Sequence, residues 1–268
     1  MTDAERQAAL DAIGAEVAIC TRCRLHQTRT KSVPGEGTAA TEVLFVGEGP
    51  GFNEDQQGRP FVGRAGDFLG KMLSSIYWKR EEVFITNVVK CRPPENRDPE
   101  PDEIAACAPY LTRQIEALDP ALVVTLGRFS MARFNPGARI GQVHGTLRAA
   151  HEDAGAPRAL VYFMYHPAAA LRDPAVAAVS LKDMEGVPQA LLDARKLRGA
   201  IAEPAEAAEP PSPASPAEPD APAAPDAPVP AGEPVPSPSP ARTSQSVQPA
   251  NEDRIVAETD PTDQLGLF

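Results

Sequence analysis

The sequence predicts an α/β fold with three layers, α/β/α, around a central, mainly parallel four-stranded sheet. Four short apolar runs have the length of buried strands: 42–47, 83–90, 121–126 and 160–165. Helical patterns separate them at about 65–77, 102–118 and 128–134, and another follows at 181–198. Alternation of this kind implies parallel strands with helices on both faces.

A further helix is predicted at the start of the chain. Thr2 and Glu5 have the spacing of a capping box. An apolar stripe then leads toward Cys20 through Ala8, Leu10, Ile13 and Val17.

The end of the chain has a different composition, which predicts three segments: a catalytic domain at 1–198, a disordered acidic linker at 199–263 and a short peptide at 264–268. Residues 199–268 are rich in Pro and Ala and hold 12 acidic and 2 basic residues, so they carry most of the chain's net charge of −11. Such a segment buries too little apolar surface to offset its ordering entropy. The domain itself is close to neutral, so the sequence pI of about 4.9 does not argue against a nucleic-acid partner.

The sequence also predicts a cytoplasmic protein. It lacks an apolar stretch long enough to span a membrane and a basic-then-apolar signal peptide. In a reducing compartment, its four cysteines favour metal ligation or catalysis over disulfides.

Unusual motifs follow all four predicted strands. The blocks are 47–51 (GEGPG), 90–94 (KCRPP), 127–128 (GR) and 166–167 (HP). Gly and Pro alone would be ordinary turn chemistry. Because functional residues gather at the carboxyl ends of parallel strands, the blocks predict one site at that edge of the sheet.

The four cysteines form a possible metal site. Cys20 and Cys23 are a C-x2-C pair, and Cys91 and Cys107 are separated by fifteen residues, with no histidine beside them at metal-ligand spacing. This spacing is about equally compatible with zinc and with a [4Fe–4S] cluster. The third hypothesis is that the four cysteines are buried and unrelated.

Several of these blocks together resemble the family 4 uracil-DNA glycosylases, the iron–sulfur type. The match covers about 19–198. Its carriers are residues 47–51 with Glu54 and Asp55, 58–63 (GRPFVG), 86–94 (TNVVKCRPP) and 166–169 (HPAA). The resemblance implies a uracil-DNA-glycosylase-like fold, excision of uracil from DNA in base excision repair, and a 4Fe-4S cluster held by Cys20, Cys23, Cys91 and Cys107.

A related group that bonds covalently to DNA carries a basic, histidine-containing insert after the second motif. Here residues 91–97 (CRPPENR) continue directly. The sequence therefore indicates an enzyme that turns over.

The resemblance implies that three residues recognise uracil and act on it. Phe61 would stack on the flipped base, Asn87 would pair with uracil O4 and N3–H, and His166 would donate to O2 as negative charge collects there. The alternatives are a core phenylalanine, an asparagine that caps a strand and a structural histidine.

The same resemblance places Glu48, Gly49 and Pro50 at the uracil pocket. Gly49 stands where the family 1 enzymes have an aspartate, so no water-activating carboxylate occupies that position. Glu48 is expected to shape the pocket as a catalytic-site residue, and whether it acts as a base stays open.

Four residues are candidates for DNA contact. Leu171 with Arg172 would suit the gap left by the flipped base, and Arg92 and Arg97 would meet phosphates. Each arginine is equally well read as a solvated surface charge. The expected substrate is single- or double-stranded DNA that contains uracil, bound by a monomer.

The last five residues resemble peptides that dock bacterial repair proteins on the DNA polymerase sliding clamp. Gln264 would be the polar anchor, and Leu265, Leu267 and Phe268 would fill the clamp's cleft. The alternative is a terminal strand or helix that packs on the domain.

Two other functions compete with uracil excision. One is a glycosylase of the same fold that acts on other deaminated bases, and Asn87 argues against such broad tolerance. The other is a non-catalytic iron–sulfur adaptor that binds DNA or the clamp.

Overall fold

The computed structural model describes residues 1–202, and they form one six-stranded sheet covered by helices. The strands are β1 (Glu36–Gly37), β2 (Val43–Gly47), β3 (Phe84–Asn87), β4 (Leu122–Leu126), β5 (Leu147–Ala149) and β6 (Leu160–Met164). Their order in the sheet is β1-β3-β2-β4-β6-β5. The four central strands run parallel, and β1 and β5 pair antiparallel with the edges. The α/β class and the parallel centre are thus confirmed.

The predicted count of four strands is wrong, because the sheet has two further strands at its edges. β1 has two residues and β5 has three, and neither strand is buried. Edge strands of this length leave no apolar run in the sequence, and only their pairing with β3 and β6 defines them.

The third strand ends earlier than predicted. Regular pairing stops at Asn87 and not at Lys90, although Val88 and Val89 still donate their N–H groups to the carbonyls of Gly47 and Glu48. The chain then turns, and the Lys90 ammonium reaches back to the Asn87 carbonyl at 2.7 Å.

Nine helices accompany the strands within residues 1–202. They are α1 (Asp3–Ala18), α2 (Phe52–Gln57), α3 (Arg64–Ser75), α4 (Pro101–Leu118), α5 (Arg128–Phe134), α6 (Ile140–Val143), α7 (Pro167–Ala170), α8 (Pro174–Glu185) and α9 (Val187–Ala202). The capping box that begins α1 is confirmed. Leu10, Ile13 and Val17 are buried as predicted, whereas Ala8 is exposed.

The predicted helix at 181–198 is in fact the end of α8 followed by α9. The Tyr162 hydroxyl donates to the Asp183 carbonyl at 2.7 Å and so satisfies a carbonyl at the end of α8. A Cβ on Gly186 would lie 2.4 Å from that hydroxyl, so glycine allows the close approach. The second helix also runs to Ala202, past the boundary that composition predicted at 198.

The core has two parts, one on each face of the sheet. Leu44 and Val46 of β2 pack on one face with α1, α4 and α5, and their neighbours Val43 and Phe45 pack on the other with α3, α8 and α9. Neighbouring residues of a strand point to opposite faces, which explains this division. The three-layer prediction is therefore confirmed.

Two other expectations concern the membrane and the end of the chain. Across residues 1–202, no helix combines the length and the apolar character that crossing a membrane requires. The predicted linker beyond residue 202 and the peptide at 264–268 lie outside the described residues.

Candidate active site and cysteine site

A cleft of about 600 Å³ lies at the carboxyl ends of the parallel strands. Most of the predicted site residues line it: Glu48, Gly49, Pro50, Phe61, Asn87, Arg97, His166 and Arg172. Leu171 and Arg92 are not among the lining residues. Gly127 and Arg128 line the cleft as well, so the structure brings together the blocks that follow all four predicted strands.

Asn87 lines this cleft and is 1% exposed. Its Oδ1 atom is buried and has no hydrogen-bond partner among the described residues. A Cβ at position 47 would lie 2.4 Å from this oxygen and 2.6 Å from Cζ of Phe61, so Gly47 permits the close packing of both side chains. Since buried polar atoms are normally bonded, a free amide oxygen beside a cleft is suited to a ligand.

Phe61 forms one side of the cleft in an unusual backbone conformation. Its φ is 50°, a left-handed value that a bulky residue rarely adopts. Its ring centroid lies 5.8 Å from that of His166 at an interplanar angle of 32°. A Cβ on Gly66 would lie 1.9 Å from the Phe61 carbonyl oxygen, so glycine at the start of α3 is needed for this turn.

Glu54 holds this turn in place, a role that the sequence pattern did not predict. One carboxylate oxygen accepts from the N–H groups of Val62 and Gly63, both at 2.9 Å, and the other accepts from Gly51 N–H at 3.1 Å. Both oxygens are therefore occupied by backbone donors. A glutamate three residues after the N-cap Gly51 makes half of a capping box, and that spacing is the signal that could have revealed it.

Arg80 also stabilises the Phe61 turn, through backbone carbonyls. Its guanidinium donates to the carbonyls of Phe61, at 3.0 Å, and Pro60. Glu36 in β1 accepts from Arg80 at 3.4 Å and from Arg59 at 2.6 Å. The strained backbone of Phe61 is thus held by contacts that are distant in sequence.

His166 follows β6 and begins the short helix α7. Its Nδ1 accepts the N–H of Ala168 at 3.1 Å. Burial, and then the positive charge of Arg172, lower the pKa of His166 to about 4, although Glu54 acts in the opposite direction. The imidazole is therefore neutral at pH 7, and with Nδ1 as acceptor its proton lies on Nε2.

The first motif places one carboxylate on the cleft wall. Burial, and then the charge of Asp98, raise the pKa of Glu48, which Arg128 opposes. A Cβ on Gly49 would lie 2.8 Å from Cγ2 of Val89. An aspartate at that position would therefore need the Val89 side chain to shift.

The two arginines that were predicted to contact phosphates, Arg92 and Arg97, form different hydrogen bonds. Arg92 lies over the exposed ring of Phe52, 5.2 Å from its centroid, and donates to Asn96 at 2.7 Å. Arg97 donates through two nitrogens to the buried carboxylate of Glu103, at 2.6 and 2.9 Å. Arg97 is thus paired with a buried carboxylate, whereas Arg92 bonds a neutral amide.

Leu171 and Arg172 follow α7 beside His166. Leu171 is 38% exposed, and Arg172 lines the cleft. After burial, the positive charge of Arg172 is the second cause of the lowered pKa of His166.

The four cysteines converge beside α1, β3 and α4, where they line one small cavity. Three of the sulfur atoms accept hydrogen bonds: Cys91 from Arg29 at 3.1 Å, Cys107 from Lys90 N–H at 3.3 Å, and Cys20 from Arg22 N–H at 3.5 Å. His26 lies beside this cysteine site, contrary to the sequence expectation, but its Nδ1 is 2.7 Å from the Cys23 carbonyl oxygen.

The spacing of the sulfur atoms bears on what the cysteine site could hold. Four thiolates around one zinc ion, at about 2.3 Å each, would lie about 3.8 Å from one another. Within residues 1–202, no three cysteine sulfurs lie within 4.8 Å of one another. Burial also raises the pKa of the Cys107 thiol to about 11, so a cationic group must offset that cost before the sulfur serves as a thiolate.

Comparison with known proteins agrees with this arrangement. A family model described as the uracil DNA glycosylase superfamily matches residues 34–184. A type-4 uracil-DNA glycosylase of Saccharolobus solfataricus is 47% identical over 188 residues, which are 68% of this chain and 86% of the relative. The chain belongs to the type-4 uracil-DNA glycosylases.

Two other type-4 relatives have similar sequence identities to this chain. The Archaeoglobus fulgidus protein is 46% identical over 62% of this chain and 84% of its own length. The Thermotoga maritima protein is 47% identical over 50% of this chain and 70% of its own length. The superfamily match begins at Pro34, so it includes the whole cleft but neither Cys20 nor Cys23.

Proposed function

We propose that this chain excises uracil from DNA in the cleft described above. As in its family, the reaction hydrolyses the N-glycosidic bond and leaves an abasic site for base excision repair. The observation that carries the assignment is the convergence in one cleft of Phe61, neutral His166 and an Asn87 Oδ1 that has no partner among residues 1–202. A flipped base requires a stacking face and hydrogen-bond partners in such a pocket.

Phe61 and Asn87 recognise the base. Unpairing a base costs a few kcal/mol, and stacking on an aromatic ring returns about 1–3 kcal/mol. The Asn87 amide donates to uracil O4 and accepts from N3–H, a pattern that cytosine reverses. The free Oδ1 supports this role, because a bound uracil would supply the missing partner.

His166 stabilises the departing base. Since Nδ1 accepts from Ala168, Nε2–H is the donor that remains for uracil O2. Negative charge grows on that oxygen as the bond breaks, and a fixed donor there stabilises the transition state more than the ground state. A neutral imidazole donates without titrating near pH 7.

Glu48 shapes the pocket wall beside the sugar. Position 49, which follows it, is a glycine and has no carboxylate. Both oxygens of Glu54 accept from backbone N–H groups, so Glu54 does not offer a free carboxylate base either. A dissociative reaction relies more on stabilising charge than on a strong nucleophile, which is consistent with these neighbours.

Leu171, Arg172, Arg92 and Arg97 hold the DNA. The exposed Leu171 enters the gap left by the flipped nucleotide, with Arg172 beside it. Arg92 meets a phosphate more readily than Arg97, which is paired with Glu103. We infer that a monomer is sufficient for this contact.

Cys20, Cys23, Cys91 and Cys107 hold a 4Fe-4S cluster. The four cysteines line one cavity, and the N–H donors on three sulfurs are the kind that support cluster thiolates. The cluster supplies cross-links rather than chemistry at the base. Its ligands come from the end of α1, the turn after β3 and helix α4, so it ties these segments together.

Incubation with oligonucleotides tests the activity. The purified chain should generate alkali-labile abasic sites in uracil-containing DNA, and little or no cleavage of hypoxanthine or mismatched thymine should occur. Efficient cleavage of hypoxanthine would favour the broader glycosylase. No cleavage of any uracil substrate would overturn the enzyme assignment and favour the non-catalytic adaptor.

We further propose that Gln264, Leu265, Leu267 and Phe268 dock the enzyme on the sliding clamp. The acidic segment before them would act as a self-repelling tether that raises the local concentration of the domain on replicated DNA. Deletion of residues 264–268 should abolish binding to purified clamp and leave excision from a short oligonucleotide unchanged. Unchanged clamp binding by the truncated protein would contradict this role.

A further inference from the structure

Lys90 is a buried lysine between the cleft and the cysteine site. It is 1% exposed. Its Nζ donates to Thr86 Oγ1 at 2.6 Å, to the Asn87 carbonyl at 2.7 Å and to Gln114 Oε1 at 2.6 Å. All three donors of the ammonium group are therefore used inside the protein.

Burial of an ammonium group is costly, and an apolar side chain of similar length would fill the space more cheaply. The benefit must therefore lie in the groups that the ammonium binds. Two of them are the last residues of β3, and the third belongs to α4, the helix that carries Cys107.

The Asn87 side chain is oriented mainly by its surroundings. Its Oδ1 has no hydrogen-bond partner in the described part of the chain, so its orientation depends on the close packing at Gly47 and Phe61 and on its own backbone. Lys90 bonds that backbone at the carbonyl, just where regular strand pairing ends.

The rest of the network fixes the ammonium itself. Gln114 Nε2 donates to the Pro34 carbonyl at 2.7 Å, and Thr86 Oγ1 lies 2.8 Å from the same oxygen. Two acceptors of Lys90, Thr86 and Gln114, are thus bonded to each other and to the segment before β1.

We propose that Lys90 is a positioning residue for uracil recognition, because its ammonium group fixes the peptide that carries the Asn87 amide. The inference rests on the proposed uracil excision and on the role given to Asn87. Lys90 does not touch the base, and it acts only through Asn87.

A double-mutant cycle on the full-length protein tests this coupling. Single-turnover excision of uracil is measured for the wild type, Lys90→Met, Asn87→Ala and the double variant. Lys90→Met should slow excision by roughly 10²-fold, as small misplacements at a reacting site do, with little change in oligonucleotide affinity. In the Asn87→Ala background the same substitution should have no further effect.

Thr41→Val is the matched control for lost stability. Thr41 is also buried, and its hydroxyl bonds the backbone of Val43, at the opposite end of the sheet from the cleft. This variant should slow excision in neither background.

Equal slowing by Lys90→Met in both backgrounds, or no slowing in the wild-type background, would overturn the role of Lys90. A wild type that does not excise uracil would instead overturn the proposed function. If Lys90→Met does not fold, Gln114→Met enters the same cycle, since it removes one acceptor of the ammonium. It should slow excision only where Asn87 is present, and additive slowing would again refute the coupling.

Discussion

The cleft and the cysteine site differ in whether the atoms that face the site have hydrogen-bond partners in the protein. In the cleft, Asn87 Oδ1 has no hydrogen-bond partner within residues 1–202, whereas the Phe61 turn is bonded by Glu54 and Arg80. In the cysteine site, by contrast, the inward-facing sulfurs themselves accept hydrogen bonds from Arg29 and from backbone N–H groups.

This difference matches the ligands that we propose. A base that enters and leaves needs hydrogen-bond donors and acceptors that are not already bonded. The protein therefore holds the backbone around the pocket and leaves the atoms that contact the base without protein partners. A resident cluster carries permanent charge on its thiolates, so donors directed at the sulfurs stabilise it continuously. The comparison predicts that damage to the cysteine site affects the fold and that damage to the cleft affects the rate.

The largest effect is expected for Cys91→Ala. It should abolish bound iron and lower the thermal midpoint, because the turn after β3 loses its tie to α1 and α4. Iron analysis and thermal unfolding measure both. Ser180→Ala also removes one buried heavy atom and should retain full iron. Stoichiometric zinc in place of iron after anaerobic purification would contradict the cluster assignment.

His166→Ala should slow single-turnover excision by about 10²–10³-fold, the usual effect of losing a transition-state donor. Oligonucleotide affinity should change much less, because the donor acts on charge that develops during the reaction. His151→Ala removes an exposed imidazole elsewhere and is the control. An unchanged single-turnover rate would remove His166 from the site.

Asn87→Asp should reduce the preference for uracil over cytosine by about tenfold, the value of one hydrogen bond. The side chain keeps its size, but an ionised carboxylate cannot donate to uracil O4. Excision from matched uracil and cytosine oligonucleotides measures the ratio. Full retention of the ratio would assign base recognition to another residue.

The smallest effect is expected from pH. Because the pKa of His166 is lowered to about 4, the imidazole should stay neutral, and its contribution to the excision rate should stay constant, from pH 8 down to about pH 5. Its contribution to stability is complete above the ordinary pKa of about 6.5 and is lost as the pH falls from there to 4.

Arg172→Gln sharpens this pH test. Arg172 lowers the pKa of His166, so its removal should move the acidic inflection of the rate to higher pH. Loss of activity in the wild type centred near pH 6.5 would show that His166 titrates normally.

The sequence by itself determined the parallel centre of the sheet and the edge where the site lies. The apolar runs are long enough to be buried on both faces, as the fully buried β2 and β4 confirm. Parallel strands place their carboxyl ends together, so the GEGPG and HP blocks had to meet there. The resemblance then supplied roles for Phe61, Asn87 and His166, which stay predictions.

Only the tertiary structure decided the contacts between distant segments. Glu54 and Arg80 reach the Phe61 turn from different elements, and Lys90 meets Gln114 across 24 positions. The low pKa of His166 likewise depends on burial and on where Arg172 lies. The short edge strands exist only through their pairing with longer neighbours. A pattern of residues records local periodicity, whereas desolvation and long-range hydrogen bonds depend on which segments the folded chain brings together.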